Sequence, residues 1–439
     1  MKAAQSMKQR LIEQSVQRKL KRNDRKASNG SLMTGAPAPN RRTDFCQHPG
    51  WQQLNIMRES AVKLDVEYPF FRVHEGCSGA TAIIDGRECI NFASYNYLGL
   101  SGDPRVINAA QEATAKYGTS VSASRMVSGE RPIHRELEQA LAQVYQSDDA
   151  LAFVSGHATN VSVIGYLMGS RDLVLHDEYI HNSSLMGAQL SGARRMAFRH
   201  NDLNHLEKLL QQNRHQFERV LIVVEGLYSM DGDAPDLPSL VELKESHECW
   251  LMVDEAHALG VLGDKGLGSH EHAGIDPKRV DIWMGTLSKN LSGCGGYIAG
   301  CQPLIDMLRH FAPGFLYSVG MPASVAAAAI ESLRIMLAEP ERVSALQRNS
   351  EYLATRARAA GLDVGESIGR AVVPVISGSS LVATRQSVEL LKQGINVQPI
   401  LYPAVPEKSA RLRFFVCSDH TEAQIDFTLE TLLSMKKAS

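Results

Sequence analysis

The chain lacks the cysteine patterns of disulfide-stabilised proteins and of zinc sites. Its seven cysteines are odd in number, lie scattered along 439 residues and are never spaced as C-x-x-C. Such a set is typical of proteins from a reducing compartment. The sequence therefore predicts a cytoplasmic location and no metal site.

Long hydrophobic runs and a strong charge excess are also missing. No uninterrupted apolar run approaches the ~20 residues that a membrane-spanning helix needs, and no secretory hydrophobic segment follows the first residues. The formal net charge of -2 gives no electrostatic attraction to nucleic acid or to an anionic membrane. Apolar residues at 44% and charged residues at 21% are ordinary for an enzyme with a large core.

The first 42 residues differ from the rest. They contain eleven Lys or Arg residues against only Glu13 and Asp24, and residues 27–40 are rich in Ser, Gly, Ala and Pro. Three interpretations stay open: a solvated appendage or linker, a helix that docks an acidic partner such as a carrier protein, and a targeting presequence.

The body of the chain alternates short apolar runs with helical patterns. About seven strands fit between Ala150 and Gly300, which favours an α/β fold with a mainly parallel sheet. A smaller α+β unit follows an Ala-rich helix near residues 324–337. The predicted divisions are residues 1–46 (basic extension and linker), 47–100 (a segment that packs with the small domain), 101–322 (large domain) and 323–439 (small C-terminal domain).

Two apolar runs end abruptly in reactive side chains. Residues 251–257 end in Asp254 and His257, and residues 280–289 end in Thr286 and Lys289. The carboxyl edge of a parallel sheet is where open α/β folds bind ligands. A lysine for a Schiff base and a carboxylate for a pyridinium nitrogen suit an aldehyde cofactor. Either segment alone could equally carry a surface lysine or a helix-capping aspartate, but the pair favours the site.

Other predicted strands end in groups of the same kind. The turn at Ser155 and Gly156 opens a helix, whose free backbone N–H groups either hold a phosphate or simply receive an N-cap. Each histidine in these turns could instead be a satisfied structural side chain. The further strand-end residues are His157, His181, Glu225 and Ser229.

The order of these residues resembles the α-oxoamine synthases, pyridoxal 5′-phosphate (PLP) enzymes of fold type I. This family includes 8-amino-7-oxononanoate synthase, 2-amino-3-ketobutyrate CoA ligase, 5-aminolevulinate synthase and serine palmitoyltransferase. The resemblance covers roughly residues 92–432, and its most specific pieces are residues 225–233, 253–260 and 286–289.

The resemblance implies a role for each of these residues. Lys289 would form the Schiff base and later take the α-proton, while Asp254 would keep the pyridine nitrogen protonated. His181 would stack on the ring, and together with Lys289, Asp254 and His257 it makes up the predicted catalytic set. The cofactor-binding set is Ser155, Gly156, His157, His181, Glu225, Ser229, Asp254, His257, Thr286, Lys289 and Ser318.

The resemblance also implies a substrate site. Arg413 would receive the carboxylate of the amino acid, Asn96 would assist, and Ser124 would border the pocket. Asn96 could instead satisfy a turn, the commoner fate of such an asparagine. The chain departs from the family around Ser124, which follows Ser122 and Ala123 instead of a glycine-rich run, at His157, where relatives carry an aromatic residue, and around Ser318, the one hydroxyl left in its segment.

The implied reaction is a decarboxylative condensation of an amino acid with an acyl thioester, giving an α-aminoketone, carbon dioxide and a free thiol. The thiol would belong to coenzyme A or to an acyl carrier protein, and the enzyme would be a homodimer. Two alternatives are a PLP-dependent aminotransferase of the same fold and a non-catalytic partner subunit, which would typically lack the lysine.

Overall fold

The computed structural model describes the backbone of residues 43–438 and the side chains of residues 43–435. Residues 1–42 lie outside the described residues, so the three interpretations of the basic segment stay predictions.

The first described elements form a helix and a small hairpin. The two residues at the hairpin turn, Asp85 and Gly86, have φ of 50° and 73°, the left-handed conformation that two-residue hairpin turns require. The elements are a 3-10 turn Phe45–Gln47, a helix Pro49–Lys63, β1 (His74–Glu75), β2 (Thr81–Ile84) and β3 (Arg87–Asn91).

A seven-stranded sheet forms the centre of the molecule, in the order β4-β10-β9-β8-β7-β5-β6. Six strands run in one direction, and β10 is antiparallel to both of its neighbours. This confirms the predicted fold class, with a mainly parallel sheet. The strands are β4 (Asp149–Phe153), β5 (Leu173–Asp177), β6 (Arg194–Phe198), β7 (Val220–Glu225), β8 (Trp250–Asp254), β9 (Ile282–Thr286) and β10 (Gly296–Gly300).

Helices cover both faces of this sheet. They are Pro104–Tyr117, Pro132–Val144, Gly156–Leu167, Asn182–Ser191, Leu203–Asn213, Leu237–Ser246, Ser269–Ala273, Gln302–Phe311 and Pro313–Leu316. Successive strand residues therefore belong to two different cores: Val220, Ile222 and Val224 pack on one face, and Leu221 and Val223 on the other. Burial on both faces explains why the strands read as continuous apolar runs.

The C-terminal part is an α+β unit. Its antiparallel sheet has the order β11-β14-β13, with β11 (Val372–Ile376), β13 (Gln398–Ile400) and β14 (Arg411–Phe415), while β12 (Ile395–Asn396) lies just before β13. Its helices are Ala323–Ala338, Pro340–Ala359, Ser380–Lys392 and Glu422–Ala438. The helix Ser380–Lys392 begins where Ser379 caps it, accepting a hydrogen bond from Val382 N–H.

The N-terminal hairpin joins the C-terminal unit. Strand β12 pairs with β3 in parallel, and the backbone of Phe92 accepts a hydrogen bond from Phe415 N–H at 2.8 Å. These contacts support the predicted packing of residues 47–100 on the small domain; the domain boundaries themselves stay predictions. Among the described residues, no helix is both long and apolar enough to cross a membrane.

Candidate active site

A cavity of about 250 Å³ lies at the carboxyl edge of the seven-stranded sheet. Because six strands run the same way, their last residues and the turns that follow them converge there. We call it the carboxyl-edge cavity. Its lining residues are Tyr95, Gly156, His157, Asn160, His181, Ser183, Glu225, Ser229, Met230, Asp254, Ala256, His257, Met284, Thr286, Ser288, Lys289 and Arg413.

Lys289 lies in the tight turn that follows β9. Backbone hydrogen bonds from Leu287 N–H to the carbonyl of Gly295 and from Ser292 N–H to that of Lys289, both 3.0 Å, close this turn. The Lys289 ammonium lies 5.4 Å from the centre of the Tyr95 ring. Burial lowers the pKa of Lys289 to about 8, although the nearby carboxylates of Asp254 and Glu225 oppose the shift. A substantial fraction of the amine is therefore unprotonated near neutral pH, as a nucleophile requires.

Asp254 is fixed at the end of β8 and is only 4% exposed. One carboxylate oxygen accepts a hydrogen bond from Ala256 N–H at 3.0 Å, and the other accepts one from the Asn160 side chain at 2.9 Å. Each carboxylate oxygen has a second lone pair. The carboxylate can therefore hold its position and still accept a hydrogen bond from a protonated ring nitrogen.

His181 and His257 are both neutral imidazoles near pH 7. Burial lowers the pKa of His181, and burial lowers that of His257 well below its usual range, with Lys289 and Arg413 adding to the second shift. The His181 ring is oriented by a 2.7 Å hydrogen bond between Nδ1 and the Ser183 hydroxyl. These uncharged rings suit contact with an aromatic cofactor.

Glu225 lies opposite Asp254 in the ladder between β7 and β8. Burial, followed by the charge of Asp254, raises the pKa of Glu225 to about 8. One carboxyl oxygen accepts a hydrogen bond from Ser229 N–H at 3.2 Å, and the buried Oε1 has no hydrogen-bond partner among the described residues. Glu225 is therefore largely a neutral acid at pH 7.

The start of the helix Gly156–Leu167 and the end of β9 form one end of the cavity. A Cβ at Gly156 would lie 2.9 Å from the Thr286 hydroxyl oxygen, so the close approach of the two elements needs glycine. First-turn N–H groups of a helix lack intrahelical partners and attract anions. Ser155 does not line the cavity, because its hydroxyl caps this helix by accepting from Ala158 N–H at 3.3 Å. A contact between Ser155 and the cofactor stays a prediction.

Arg413, in β14, brings a cation to the same cavity. Its guanidinium donates to the Ser229 carbonyl at 3.0 Å and stacks on Phe415 at 4.4 Å. Its Nε is buried and lacks a hydrogen-bond partner in the part of the chain that the structure describes. An unpartnered buried guanidinium donor is suited to a carboxylate ligand.

Besides Ser155, three predicted residues do not line the cavity. The side-chain amide of Asn96 donates to the Ser78 carbonyl at 3.1 Å and its oxygen accepts from Ser101 N–H at 3.1 Å, so it stabilises a turn. Ser124 precedes the π-helical turn Arg125–Gly129. Ser318 lies nearby, because the Ala123 carbonyl accepts from the Gly320 amide at 2.9 Å.

Sequence reasoning missed several lining residues. Asn160 lies one helical turn after Gly156, and this i, i+4 spacing could have placed it on the cavity face. It donates both to Ser183 at 2.9 Å and to Asp254, which links the supports of His181 and of Asp254. The other missed residues are Tyr95, Ser183, Met230, Ala256, Met284 and Ser288.

Comparison with known proteins agrees with this geometry. The profile of the family Aminotransferase class I and II matches residues 87–432. The chain is 42% identical to the 8-amino-7-oxononanoate synthase of Symbiobacterium thermophilum over 79% of this chain and 88% of the relative. It is 37% identical to 8-amino-7-oxononanoate synthase 1 of Bacillus subtilis, over 87% and 95% respectively. This chain is an α-oxoamine synthase.

Solved structures of the family have the same fold. Serine palmitoyltransferase of Sphingomonas wittichii matches with a TM-score of 0.85 and 30% identity, over 90% of this chain and 98% of that one. The chain is therefore a PLP-dependent transferase of fold type I that condenses an amino acid with an acyl thioester with loss of carbon dioxide. Its cavity fits PLP, since it offers an amine for the aldehyde, a fixed carboxylate for the ring nitrogen and a helix start for the phosphate.

Proposed function

We propose specific roles for the residues of the carboxyl-edge cavity in this condensation. The observation that carries the proposal is that Lys289, with its lowered pKa, and the fixed carboxylate of Asp254 line one cavity. When bound, PLP supplies an electron sink that stabilises negative charge on the α-carbon of the amino acid. Every other part of the reaction depends on how the side chains bind, orient and move protons.

Lys289 would hold the cofactor through its aldehyde group, and its Nζ would hold the α-proton of the amino acid. Asp254 holds a proton on the pyridine nitrogen by its charge. A charge pair at ~4 Å with an effective dielectric constant near 20 is worth roughly 4 kcal/mol. That corresponds to about three pKa units, enough to keep the ring nitrogen protonated at neutral pH.

The remaining lining residues position the cofactor and the substrate. His181 packs on the ring face, while His257 and Ser229 contact the phenolic oxygen region. The carboxyl of Glu225 is neutral, and its Oε1 has no partner among the described residues. It would donate a hydrogen bond to the same phenolic oxygen region. The phosphate contacts are Gly156, His157 and Thr286.

Arg413 binds the carboxylate of the amino acid. Its buried, unpartnered Nε and its stacked, fixed guanidinium support this role. A cavity of about 250 Å³ has to hold the cofactor as well as the amino acid, which favours an amino acid with a small side chain. The thiol carrier is either coenzyme A or an acyl carrier protein.

Thiol release tests this function. The PLP-loaded protein is mixed with small and large amino acids and with acyl thioesters of both carriers, and free thiol and carbon dioxide are measured together. Equal release of the two products, with small amino acids preferred, is expected. A protein that binds PLP and converts none of these pairs would refute the proposal.

A PLP-dependent aminotransferase is the second candidate, because the matching family profile carries that name. Such an enzyme would accumulate the pyridoxamine form of the cofactor with an amino acid alone and would release no thiol. The third possibility, a non-catalytic partner subunit, is disfavoured by the presence of Lys289 in the cavity.

The active enzyme is a homodimer under this proposal. Ser124 and Ser318 lie on neighbouring segments whose apolar side chains are exposed, Val127 by 82% and Tyr317 by 87%. A second copy covering this surface would bury both, and Ser318 would then reach the phosphate of the other protomer. Sedimentation analysis of wild type against Tyr317→Asp tests it, and a wild-type monomer with full activity would contradict it. A cytoplasmic location stays a prediction from the cysteine pattern.

A further inference from the structure

A histidine outside the carboxyl-edge cavity connects two of the loops that line it. His200 follows β6, and its ring contacts a carboxylate with each nitrogen. Nδ1 lies 2.9 Å from Asp177 Oδ1 and Nε2 lies 2.8 Å from Asp233 Oδ2. The two carboxylates belong to different loops, so the ring bridges them.

The next residue repeats the same connection. Asn201 donates its backbone N–H to Asp177 Oδ2 at 2.9 Å and its side-chain amide to Asp233 Oδ2 at 2.7 Å. Its φ of 51° is in the left-handed region, which asparagine tolerates better than most residues. We call this pair, His200 and Asn201, the carboxylate clamp.

The first bridged loop carries His181. Asp177 is the last residue of β5, and its Oδ1 also accepts a hydrogen bond from Tyr179 N–H at 2.8 Å. Two residues further on, His181 caps the helix Asn182–Ser191 and enters the cavity. The position of the Asp177 carboxylate therefore affects where the His181 ring lies.

The second bridged loop carries Ser229. It is a compact turn, in which Tyr228 N–H donates to the Asp233 carbonyl and Gly232 N–H donates to the Tyr228 carbonyl, both at 2.9 Å. Arg411 holds the other side of this turn through Asp231 and the Met230 carbonyl. Arg413 and Glu225 also hold this turn, through the carbonyl and the N–H of Ser229, and the clamp is the support that reaches Asp233.

The ring of His200 can satisfy both carboxylates only by donating from both nitrogens, and hence only as a cation. Burial lowers its pKa, but the hydrogen bonds and charges of Asp177 and Asp233 outweigh burial and raise the pKa to about 10. Two phenol rings pack on it, Tyr179 stacked at 4.4 Å and Tyr228 edge-on at 4.6 Å. It is thus charged near neutral pH, whereas His181 is neutral.

We propose that His200, assisted by Asn201, is a positioning residue that holds the His181 loop and the Ser229 turn in fixed register around the cofactor. This deepens the proposed function, on which it rests for the roles of His181 and Ser229. The carboxylate clamp touches neither cofactor nor substrate. It acts by keeping two cavity loops from moving independently.

The test compares His200→Ala with His205→Ala. His205 lies five residues further on, in the helix Leu203–Asn213, and its ring accepts a hydrogen bond from Arg199 N–H at 3.0 Å, but it is not hydrogen-bonded to Asp177 or Asp233. The measurements are the PLP dissociation constant, the visible circular dichroism of bound PLP, and kcat and KM for the amino acid.

His200→Ala is expected to weaken PLP binding by about tenfold, as losing charge-assisted hydrogen bonds does, and to reduce the dichroism. His205→Ala is expected to stay within about twofold, as for surface substitutions. His200→Gln, which can donate to one carboxylate, should fall between wild type and His200→Ala. Asn201→Gly keeps the backbone donor and should show a smaller loss.

Wild-type PLP affinity and dichroism in His200→Ala would overturn the proposal. Should that variant fail to fold, His200→Gln and Asn201→Gly decide, and wild-type values in both would overturn it equally. PLP binding and dichroism need no acyl thioester. A wild-type protein that releases no thiol therefore refutes the proposed function and leaves the result on the clamp intact.

Discussion

Two cavities lie at opposite edges of the same sheet, and the larger one is not the active site. The second, which we call the amino-edge cavity, measures about 360 Å³ against about 250 Å³. It lies where β8 and β9 begin and β10 ends. Its lining residues are Tyr145, Gln146, Ser147, Asp148, Leu167, Trp250, Pro277, Lys278, Val280, Asp281, Ile282, Trp283, Gly300, Cys301, Pro303, Leu304 and Met307.

The charged groups of the two cavities differ in their environment. At the amino edge Lys278 is exposed, and Asp281 forms a 3.1 Å ion pair with Lys244. At the carboxyl edge burial shifts the pKa values of Lys289 and Glu225, each to about 8. Reactivity therefore follows convergence of buried ionisable groups and not cavity volume.

The largest expected effect separates the two lysines. Lys289→Ala should lower the rate of thiol release by about 10⁴-fold, because it removes both the nucleophile and the base, while the fold persists. Lys278→Ala at the amino-edge cavity should leave the rate unchanged. Steady-state thiol release and far-ultraviolet dichroism measure both. Residual turnover near the wild-type rate in Lys289→Ala would remove the basis of the assignment.

The two aspartates give the next effect. Asp254→Asn should lower kcat/KM by about 10³-fold, the equivalent of the roughly 4 kcal/mol charge pair with the ring nitrogen. Asp281→Asn removes the charged partner of Lys244, whose side chain is only 11% exposed, and should cost about 1–3 kcal/mol of unfolding free energy with unchanged kinetics. Kinetic assays and urea titrations distinguish them. Equal kinetic losses in the two variants would contradict the comparison.

A smaller effect concerns pH. Because the pKa of Lys289 is lowered to about 8, the unprotonated fraction rises as pH increases through that value. The initial rate of PLP binding to the apoprotein should rise about five-fold from pH 7 to pH 8 and then level off. Stopped-flow absorbance measures the rate. A profile still rising steeply at pH 10 would place this amine in an ordinary solvated environment.

The smallest effect on function is expected at the other end of β9. Ile282 is 2% exposed and lines the amino-edge cavity, whereas Met284 of the same strand lines the carboxyl-edge cavity. Ile282→Val should cost about 0.5–1.5 kcal/mol of unfolding free energy and leave kcat and KM unchanged. Urea unfolding and thiol release test this. A change in kcat would show that the two edges of the strand are coupled.

Much of the site could be predicted from local sequence patterns. Lys289, Asp254 and Glu225 lie at the ends of apolar strands, and strands that run in one direction place such ends at one edge. The turn at Ser155 and Gly156 predicted the start of a helix, and the helix Gly156–Leu167 begins there. These predictions needed only local information, namely the direction of each strand and the type of residue at its end.

Other features depend on contacts between distant segments. Asn160 supports Asp254 across 94 positions of sequence, and His200 bridges two loops that no motif connects. Asn96 matched a substrate-binding position, but its amide is used by a turn with Ser78 and Ser101. Hydrogen-bond partners of this kind are decided by packing, which no local pattern encodes.

The sequence by itself determined which strands are buried and which polar side chains follow each of them along the chain. The tertiary structure alone decided their chemical states, because a pKa depends on burial and on neighbouring charges brought together by folding. Lys289 near pKa 8, Glu225 as a neutral acid and His200 as a cation between Asp177 and Asp233 are consequences of that assembly.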